Sequence, residues 1–573
     1  MKILLIYPYF IEERVHVEEI SVPPQGIFYV AASCKRQGHD VDVLNWFDIH
    51  RRPHQIRETL QEKRPDIIGF SILHANRWGG IDIASIAKEI DPHVHIVFGG
   101  IGASYLWKHL LTHFAQIDYV VIGEGEHSFL KLVQSLAEGR SEHLAAIGGI
   151  ALRQDGSVVH NECNELIKEL DGLANPAQHF TYRHISLTRG CPGGCTFCGS
   201  PNFWHRKIRS HSPDYFVDQI EYLSRKGVRH FFFSDDTFTV NRKRVQEVCR
   251  LILERNLQIT WQAISRVDMV NREMLSWMRR AGCIQISYGV ESGSATIRRL
   301  LNKKFTDDQI EHAFRLTTRY GMLSRAYFIY GCPGETPQTI QASIDLIRRI
   351  KPLSVVFYIL DLFPGTALYD FYKRVAGVTD DIWLERVEDI LYFETDPKLD
   401  REQVLSFGRE LRQSFYEGLP EAVAALELED REEFYLLHAE FLSRLAMTFD
   451  HGDYAGIEAI PNKTSIAANL YRRALGYHPD QRAYLGLGII IQKEGRFEDS
   501  LAVLEAGVRH YPQDEHLNIC LGVSLMNLKR IDEALAQMLP FKHSRQAKEY
   551  IANCYQAMND HETAAVYRGN IKS

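Results

Sequence analysis

Three closely spaced cysteines form the most chemically informative segment of the sequence. Cys191, Cys195 and Cys198 are spaced C-x3-C-x2-C, and they follow a short apolar run that is typical of a strand. The glycines among them let the backbone wrap closely around a metal group and offer N–H groups to its sulfurs. Three thiolates leave one iron of a four-iron cluster without a protein ligand, and an open position can bind and activate a second molecule. The segment therefore predicts a [4Fe–4S] cluster with one open iron.

The alternatives for these cysteines are a structural zinc site and three incidental thiols. Zinc normally takes four protein ligands in spaced pairs, and no second C-x-x-C pair occurs downstream. The remaining seven cysteines are scattered, which favours a reducing compartment over a disulfide framework. The pattern favours the iron–sulfur cluster and a cytoplasmic protein. The scattered cysteines lie at positions 34, 163, 249, 283, 332, 520 and 554.

Six predicted strands alternate with helical segments around the cysteines. Six βα units are too few for a closed eight-unit barrel, so the pattern predicts an open, partial (β/α)6 TIM-type barrel with its chemistry at the carboxyl ends of the strands. The strand candidates are His184–Leu187, His230–Ser234, Thr260–Ser265, Ile284–Gly289, Arg325–Tyr330 and Ser354–Leu360.

Polar residues follow several of these strands directly. Asp235 and Asp236 follow the second, Arg266 the third, and Glu291 with Ser292 the fourth. An acidic side chain matches an ammonium group, and a glutamate can accept hydrogen bonds from two hydroxyls. Taken singly, the aspartates could start a surface turn and the glutamate could cap a helix. Their common position at strand ends favours a binding role.

The last two barrel strands offer candidates for the substrate space. Tyr330 and Cys332 lie at the end of the fifth strand, and Asp361 follows the sixth. Cys332 could donate a hydrogen atom, although a buried cysteine is more often a small apolar filler. These three residues are predicted to line the substrate cavity.

The first 150 residues alternate short apolar runs with helical patterns, which predicts a doubly wound, Rossmann-like parallel sheet. Binding residues in such sheets lie at the carboxyl ends of the strands. Ser71–Leu73, Gly99–Gly100 and Gly123–Glu126 would therefore converge on one edge. The strand candidates are Lys2–Tyr7, Val41–Trp46, Asp66–Leu73, Val94–Gly99 and Tyr119–Gly123.

The C-terminal part of the chain is predicted to be all helical and ends in an internal repeat. Leu487-Gly488 recurs as Leu521-Gly522, 34 residues later, which is the tetratricopeptide period. About three helical pairs would form a solenoid whose concave face receives a peptide or protein partner, or serves oligomerisation. The predicted domains are 1–150 (parallel sheet), 151–180 (linker), 181–375 (partial barrel), 376–460 (helical extension) and 461–573 (helical repeats).

The net charge and the lengths of the apolar segments limit the classes of binding partner and the cellular location that we expect for the chain. The 573 residues carry a net charge of -7, so no broad cationic surface for a phosphate backbone is expected and nucleic acid is not a predicted partner. The apolar start of the chain is too short for a signal peptide. No window reaches the roughly 18 apolar residues of a membrane span, so no transmembrane segment is predicted.

Together, these motifs resemble the radical S-adenosylmethionine (SAM) superfamily over residues 1 to about 375. The resemblance implies that the cluster and SAM together generate a 5′-deoxyadenosyl radical, with electrons from a donor such as flavodoxin or ferredoxin. It implies that one set of residues contacts SAM: Phe197, Asp235, Asp236, Arg266, Glu291 and Ser292.

The N-terminal segments are similar to the cobalamin-binding half of one branch of that family. Small residues let backbone approach a corrin closely, and hydroxyls supply donors. The D-x-H-x-x-G signature that supplies a lower cobalt ligand in other cobalamin proteins is absent. A histidine at the position of His74 is more often a packing residue than a ligand. The resemblance implies cobalamin contacts from Ser71, Leu73, His74, Gly99, Gly100 and Glu124.

The resemblance implies C-methylation of an unactivated carbon. The radical would remove a hydrogen atom from a small-molecule, lipid or peptide substrate, and methylcobalamin would deliver a methyl group to the resulting carbon radical. The same substrate radical gives rings and rearranged skeletons in other family members, so a non-methylating cyclase or rearrangement enzyme is the first alternative. A scaffold protein with vestigial cofactor sites is the second.

Overall fold

The computed structural model describes residues 1–11, 21–140, 144, 146–162 and 165–569. Cys163 and part of the predicted linker lie outside the described residues. The chain forms two compact units. The first comprises Met1–Ala313, Arg325–Leu346 and Val355–Leu411, and the second comprises Phe314–Ser324, Ile347–Ser354 and Arg412–Ser573.

A seven-stranded sheet forms the first part of the first unit, with strand order β2-β1-β3-β4-β5-β6-β7. Strands β1 to β5 are parallel and their central members are buried on both faces, which explains their nearly continuous apolar sequences. The predicted doubly wound sheet is confirmed. The strands are β1 Lys2–Tyr7, β2 Asp40–Asn45, β3 Ile67–Ser71, β4 His95–Gly99, β5 Tyr119–Val121, β6 Ile150–Gln154 and β7 Ser157–His160. The helices are α1 Gln25–Arg36, α2 Pro53–Lys63, α3 Arg77–Ile90, α4 Ile101–His113 and α5 Gly125–Ala137.

The last two strands of this sheet, β6 and β7, are absent from the strands that the sequence pattern predicts. They form an antiparallel hairpin that pairs with the edge strand β5. The tight turn at Asp155-Gly156, with both residues at positive φ, fits a two-residue hairpin loop. Part of the segment that the sequence assigns to a linker thus extends the first sheet.

A second, six-stranded sheet forms the partial barrel, with order β15-β14-β13-β12-β11-β8. This linear order leaves an open edge at each end, so the predicted open barrel is confirmed. The strands in this region are β8 His184–Ile185, β9 Thr188–Arg189, β10 Arg209–Ser210, β11 His230–Phe233, β12 Thr260–Ser265, β13 Cys283–Glu291, β14 Leu323–Tyr330 and β15 Ser354–Ile359; β9 and β10 form a separate pair. The helices are α6 Ser200–Phe203, α7 Pro213–Arg225, α8 Arg242–Glu254, α9 Arg272–Arg280, α10 Ala295–Leu300, α11 Asp307–Arg319 and α12 Pro337–Ile350.

The chain after the barrel is helical. Gly488 and Gly522 occupy equivalent positions in successive helical pairs, because a Cβ would lie 2.6 Å from Leu504 at the first and 2.8 Å from Met538 at the second. Both the glycines and their partners are 34 residues apart, as the repeat predicts. The helices are α13 Ala367–Ala376, α14 Tyr392–Thr395, α15 Arg401–Ala424, α16 Tyr435–Asp450, α17 Lys463–Tyr477, α18 Gln481–Lys493, α19 Phe497–His510, α20 Glu515–Asn527, α21 Ile531–Met538, α22 Arg545–Ala557 and α23 His561–Gly569.

Within the described ranges, none of these helices combines the length and the apolar character that crossing a bilayer requires.

Candidate active site

The three-cysteine loop follows strand β9 and is shaped by its own backbone. Gly190 has φ +104°, and a Cβ there would lie 2.2 Å from the carbonyl oxygen of Lys207, so only glycine fits. On the other side of the loop, the Asn302 side chain donates to the Gly194 carbonyl at 2.5 Å. The loop is therefore held in place from two sides, by the segment that follows it and by Asn302, which follows α10.

Two sulfur atoms of this loop face the same glycine. A Cβ at Gly193 would lie 3.3 Å from Sγ of Cys191 and 3.8 Å from Sγ of Cys195. A structural zinc ion normally takes four protein ligands, whereas this loop supplies three thiolates, which fits a four-iron cluster with one open iron.

Burial makes two of the three thiols, those of Cys195 and Cys198, costly to ionise without a metal. It raises the pKa of the Cys198 thiol to about 12 and also raises the pKa of Cys195. A bound cationic cluster offsets this cost, because metals deprotonate their thiol ligands. The Gly193 N–H also donates to Sγ of Cys191 at 3.3 Å. The donor set thus fits the predicted [4Fe–4S] group.

The two aspartates after strand β11 have different surroundings. Asp235 is buried and accepts hydrogen bonds from the Thr188 N–H and hydroxyl, both at 2.6 Å, and from the Leu187 N–H at 3.2 Å. Asp236 accepts from the Ser200 hydroxyl at 2.6 Å and lines a cavity. Asp235 therefore holds the strand that precedes the cluster loop, whereas Asp236 is placed to meet a ligand.

Glu291 ends strand β13 in a strained conformation beside the cluster loop. Its φ is +69°, which is unusual for a residue with a side chain. Its carboxylate forms a buried ion pair with Lys303 at 2.7 Å. The Lys303 ammonium lies 5.8 Å from the centroid of the Phe197 ring, next to Cys198. The structure thus brings the predicted residues Glu291 and Phe197 together, and adds a lysine that sequence reasoning missed.

Of the other two predicted SAM contacts, one lies at the cluster loop and the other does not. A guanidinium nitrogen of Arg266 would lie 3.3 Å from a Cβ at Gly193, and the side chain is held by Asp268 through two hydrogen bonds at 2.9 and 3.0 Å. The Ser292 hydroxyl is buried against Ser343 at 3.3 Å and accepts from a backbone N–H of its own turn. Ser292 therefore supports the turn.

A cavity of about 360 Å³, here called the strand-end cavity, lies where the first sheet and the barrel sheet meet within the first unit. Both sheets contribute the loops at their strand carboxyl ends, the position at which such sheets bind ligands. From the first sheet come Ser71, Leu73, Gly99, Gly100, Gly123 and Glu124, and from the barrel side come Thr188, Arg189, Trp204, Ser234 and Asp236.

Glycines bring the backbone of the first sheet to the cavity wall. Gly100 has φ +94°, and a Cβ there would lie 2.7 Å from the Ile72 carbonyl oxygen. A Cβ at Gly99 would meet no protein atom closer than 3.7 Å. Five of the six predicted cobalamin contacts line this cavity, and they provide the glycine-lined surface that a corrin requires.

An ion-pair network joins the cavity walls. Arg189, two residues before the first cluster cysteine, donates to Glu124 at 2.5 Å and to Glu126 at 2.6 Å. Arg209 donates to the other oxygen of Glu124 at 2.7 Å. Burial opposes ionisation of Glu124, but Arg189 and Arg209 together hold its pKa below the ordinary value. Both oxygens of the Glu124 carboxylate thus accept hydrogen bonds from arginine side chains of the protein itself.

His74, the sixth predicted cobalamin contact, pairs with Asp361, a predicted substrate residue. Its Nε2 lies 2.9 Å from the carboxylate, although 287 residues separate the two. The His74 ring packs edge-on against Phe363 at 4.5 Å and against Trp383 at 5.7 Å between ring centroids. The nearby guanidinium of Arg77 is buried and donates to four carbonyls, three of them in segment 383–388. These contacts fasten helix α3 to the chain that follows the barrel.

The remaining predicted substrate residues are placed in the protein interior. Tyr330 packs against helix α15, because a Cβ at Gly408 would lie 2.5 Å from its hydroxyl. Cys332 is fully buried, and its backbone N–H donates to the Glu335 carboxylate. Neither residue lines the strand-end cavity, so the filler interpretation of Cys332 fits its position.

Fold and site together define an enzyme that combines a three-thiolate cluster loop, a partial barrel and a parallel-sheet cofactor domain. Residues 185–347 match the family model of the radical SAM superfamily, and residues 16–133 match that of the B12 binding domain. The chain belongs to the radical SAM superfamily, among the members that carry a B12 binding domain. The predicted cofactors, a [4Fe–4S] cluster, SAM and cobalamin, are those of this family.

Individual relatives differ in the reaction that their names state. The chain is 30% identical over 383 residues to the uncharacterized methyltransferase PH0819 of Pyrococcus horikoshii, covering 65% of this chain and 83% of that one. It is 29% identical over 370 residues to the anaerobic magnesium-protoporphyrin IX monomethyl ester cyclase of Rubrivivax gelatinosus, covering 61% of this chain and 66% of that one. The solved structure of the radical SAM methyltransferase TsrM from Kitasatospora setae, with cobalamin and a [4Fe–4S] cluster bound, superposes with a TM-score of 0.59 at 16% identity. That match covers 83% of this chain and all of TsrM.

Proposed function

We propose that this protein is a cobalamin-dependent radical SAM methyltransferase that methylates a carbon of a small-molecule substrate. The observation that carries the proposal is the strand-end cavity, which is lined from one side by the predicted cobalamin edge and from the other by the barrel strand ends next to the cluster loop. A methyl donor and a radical source serve the same carbon only if they share one cavity.

The chain's own residues have distinct roles in this proposal. Cys191, Cys195 and Cys198 hold the cluster, Asp236 accepts from the ammonium group of SAM, and Glu291 accepts from its ribose hydroxyls. When bound, the three cofactors supply a carbon-centred radical and a transferable methyl group. These residues position the reacting groups.

Several side-chain contacts join the first sheet to the barrel and to the chain that follows it. The Arg189–Glu124–Glu126 network and the His74–Asp361 pair both join the first sheet to the barrel or to the chain that follows it. The Tyr105 hydroxyl also donates to the carbonyl of Gly199 at 2.9 Å, next to the cluster cysteine 198. These contacts hold the strand ends of the first sheet close to the cluster loop. In this proposal they would fix the distance between the two cofactors.

A non-methylating cyclase is the second candidate, because a relative of nearly equal identity carries the name of a cyclase. The two reactions use the same radical and differ in whether a methyl group is transferred. Either needs an external one-electron donor, and a flavodoxin or ferredoxin would suit a cluster of this kind.

Product analysis tests the proposal without a known substrate. The protein is reconstituted anaerobically with iron, sulfide and cobalamin, reduced with dithionite, and supplied with SAM that carries a trideuterated methyl group. We expect 5′-deoxyadenosine, S-adenosylhomocysteine and label in the recovered cobalamin. A cyclase would give 5′-deoxyadenosine without S-adenosylhomocysteine and without label in the cobalamin. A scaffold protein would give neither 5′-deoxyadenosine nor S-adenosylhomocysteine. Either of these outcomes would contradict the proposal.

A pair of glycine variants tests whether cobalamin occupies the strand-end cavity. Gly26 and Gly476 both lie in helices, and a Cβ at either would meet no protein atom within 4 Å. Only Gly26 lines the cavity. Gly26→Leu should weaken cobalamin binding about 5–150-fold, since overpacking costs roughly 1–3 kcal/mol. Gly476→Leu is the matched control. Equal cobalamin affinity in both variants would place the cofactor elsewhere.

A further inference from the structure

Two histidines on helix α4 and one aspartate after helix α13 form a cluster away from the strand-end cavity. His109 and His113 are four residues apart, so they lie on one face of α4. Nε2 of His113 lies 3.1 Å from Oδ1 of Asp381, and Nδ1 of His109 lies 3.9 Å from the same oxygen. Within the described parts of the chain, these residues form the one group of three His, Cys, Asp or Glu ligands with all ligand atoms inside 4.8 Å of one another.

His109 lacks the hydrogen bonds that a buried imidazole needs. Its side chain is 2% exposed, yet neither Nδ1 nor Nε2 has a hydrogen-bond partner. A buried polar group without a partner costs free energy, so such a group in a native protein calls for an explanation. A metal ion bound at Nδ1 would supply this explanation, because imidazole nitrogens are common metal ligands.

The spacing of the three side chains is that of a tetrahedral ion. Ligands at 2.0–2.1 Å from a tetrahedral zinc ion lie about 3.3 Å apart, and the two nitrogen–oxygen distances, 3.1 and 3.9 Å, bracket this value. The Thr379 hydroxyl donates to Oδ2 of Asp381 at 3.0 Å, which leaves Oδ1 directed at the histidines. A hydroxyl that donates a hydrogen bond to a ligating carboxylate is a typical outer partner at a metal site.

Charged groups of both signs surround the cluster, and Asp381 supplies the negative charge at the site itself. Asp380, next to Asp381 in sequence, pairs with Lys373 at 2.9 Å. The guanidinium of Arg77 acts on His109, and its two terminal nitrogens donate to four backbone carbonyls. Asp381 is 63% exposed on its side chain, so an ion can reach the site from solvent.

We propose that His109, His113 and Asp381 bind a divalent transition-metal ion, with zinc as the ion that this donor set suits best. Two imidazoles and one carboxylate form a zinc-type set that leaves one position for water. A bound ion ties Asp381 to helix α4 and thereby holds the turn Asp380–Leu384, whose Trp383 packs against His74. The site is separate from the cluster loop and independent of the proposed methylation.

Metal analysis of the reconstituted holoenzyme tests the site. The protein is equilibrated with zinc sulfate, desalted and analysed for zinc, iron and cobalt, and zinc affinity is measured by competition with a chromogenic chelator. We expect one zinc per chain in addition to the cluster iron. His113→Gln and Asp381→Asn should each weaken zinc binding at least about tenfold, because even outer-sphere changes cost 10–100-fold. Both side chains are partly exposed, so these variants should fold.

Controls separate this site from the cluster thiols. Asp370→Asn removes an exposed carboxylate on the neighbouring helix α13 and should leave zinc binding unchanged. Iron and cobalt contents should be the same in all variants, and zinc should raise the thermal midpoint of the wild type but not that of Asp381→Asn. Zinc that persists in a His113→Gln/Asp381→Asn double variant, or zinc lost only when the three cluster cysteines are replaced, would overturn the proposal.

Discussion

Replacing Arg189 by methionine tests how the cluster loop is held against the first sheet. The Arg189 side chain is 12% exposed, and its partners Glu124 and Glu126 are 5% and 4% exposed. Methionine keeps much of the length of the arginine side chain and removes its positive charge. Glu124 retains Arg209 and the Ile167 N–H as partners, so the variant leaves Glu126 as the buried carboxylate without its cation.

The size of the effect follows from this burial. Removing one partner of a buried ion pair costs about 3–5 kcal/mol, because the other charge remains in a poorly solvated site. In the Arg189→Met/Glu126→Gln double variant no charge is stranded at Glu126. The double variant should therefore recover roughly 0.5–3 kcal/mol, the usual coupling between residues in contact.

Urea unfolding under anaerobic conditions, followed by tryptophan fluorescence, measures the effect. Arg57→Met is the matched control, because it breaks an ion pair with Glu89 at the protein surface. The side chains of Arg57 and Glu89 are 50% and 59% exposed, so this substitution should lower the free energy of unfolding by less than about 1 kcal/mol. The cluster loop starts two residues after Arg189, so iron content after reconstitution should fall as well. A destabilisation by Arg189→Met no larger than that by Arg57→Met would refute the buried network.

Three further predictions concern residues that line the site or support it. Asp236→Asn should weaken SAM binding about 10–150-fold in equilibrium dialysis, since a hydrogen bond to a charged group contributes about 1.5–3 kcal/mol; unchanged affinity would remove Asp236 from the ligand site. Gly100→Ala should lower the thermal midpoint and the cobalamin content, because its φ of +94° and the Ile72 carbonyl 2.7 Å away leave no room for a methyl group; a wild-type midpoint would contradict this. Burial raises the pKa of Asp235 to about 7 from 3.8, so its contribution to stability is complete below pH 3.8 and is lost as the pH rises through 7. Urea midpoints should fall more steeply between about pH 4 and 7 in the wild type than in Asp235→Asn, and equal slopes would show that Asp235 does not titrate there.

Local sequence patterns were sufficient for the parallel strands of the two sheets, because each buried parallel strand is an apolar run that helical segments separate from the next. The hairpin β6–β7 was missed since its strands are short and half-exposed, and its register depends on pairing with β5. The dipeptide Asp155-Gly156, which forms the tight turn, was the local signal available for it.

Positions at strand ends were predictable, but the direction of each side chain was not. Asp235 and Asp236 are neighbours that point to different surroundings, and Tyr330 turns into the core although it ends a barrel strand. Which neighbour faces the cavity depends on the turn that follows, and a strand places successive side chains on opposite faces. Sequence spacing locates the turn without fixing that choice.

Contacts between distant segments had no local signal. His74 and Asp361 are 287 residues apart, and Arg189 and Glu126 are 63 apart. Each pair forms only when the first sheet packs on the barrel. Its stabilising effect therefore depends on tertiary structure and leaves no local pattern in the sequence. The His109–His113 spacing was visible in the sequence, but its partner Asp381 is 268 residues from His113 and lies beyond the barrel.

Magnetic coupling between the two cofactors tests most directly whether they share the strand-end cavity. Cob(II)alamin and a reduced [4Fe–4S] cluster are both paramagnetic. Electron paramagnetic resonance can therefore detect the effect of a nearby reduced cluster on the cob(II)alamin signal. In the reconstituted wild type, reduction of the cluster should speed the relaxation of the cob(II)alamin signal, and the Cys191→Ala/Cys195→Ala/Cys198→Ala variant should lose this effect while still binding cobalamin. A cob(II)alamin signal that is identical in the two proteins would contradict a shared cavity.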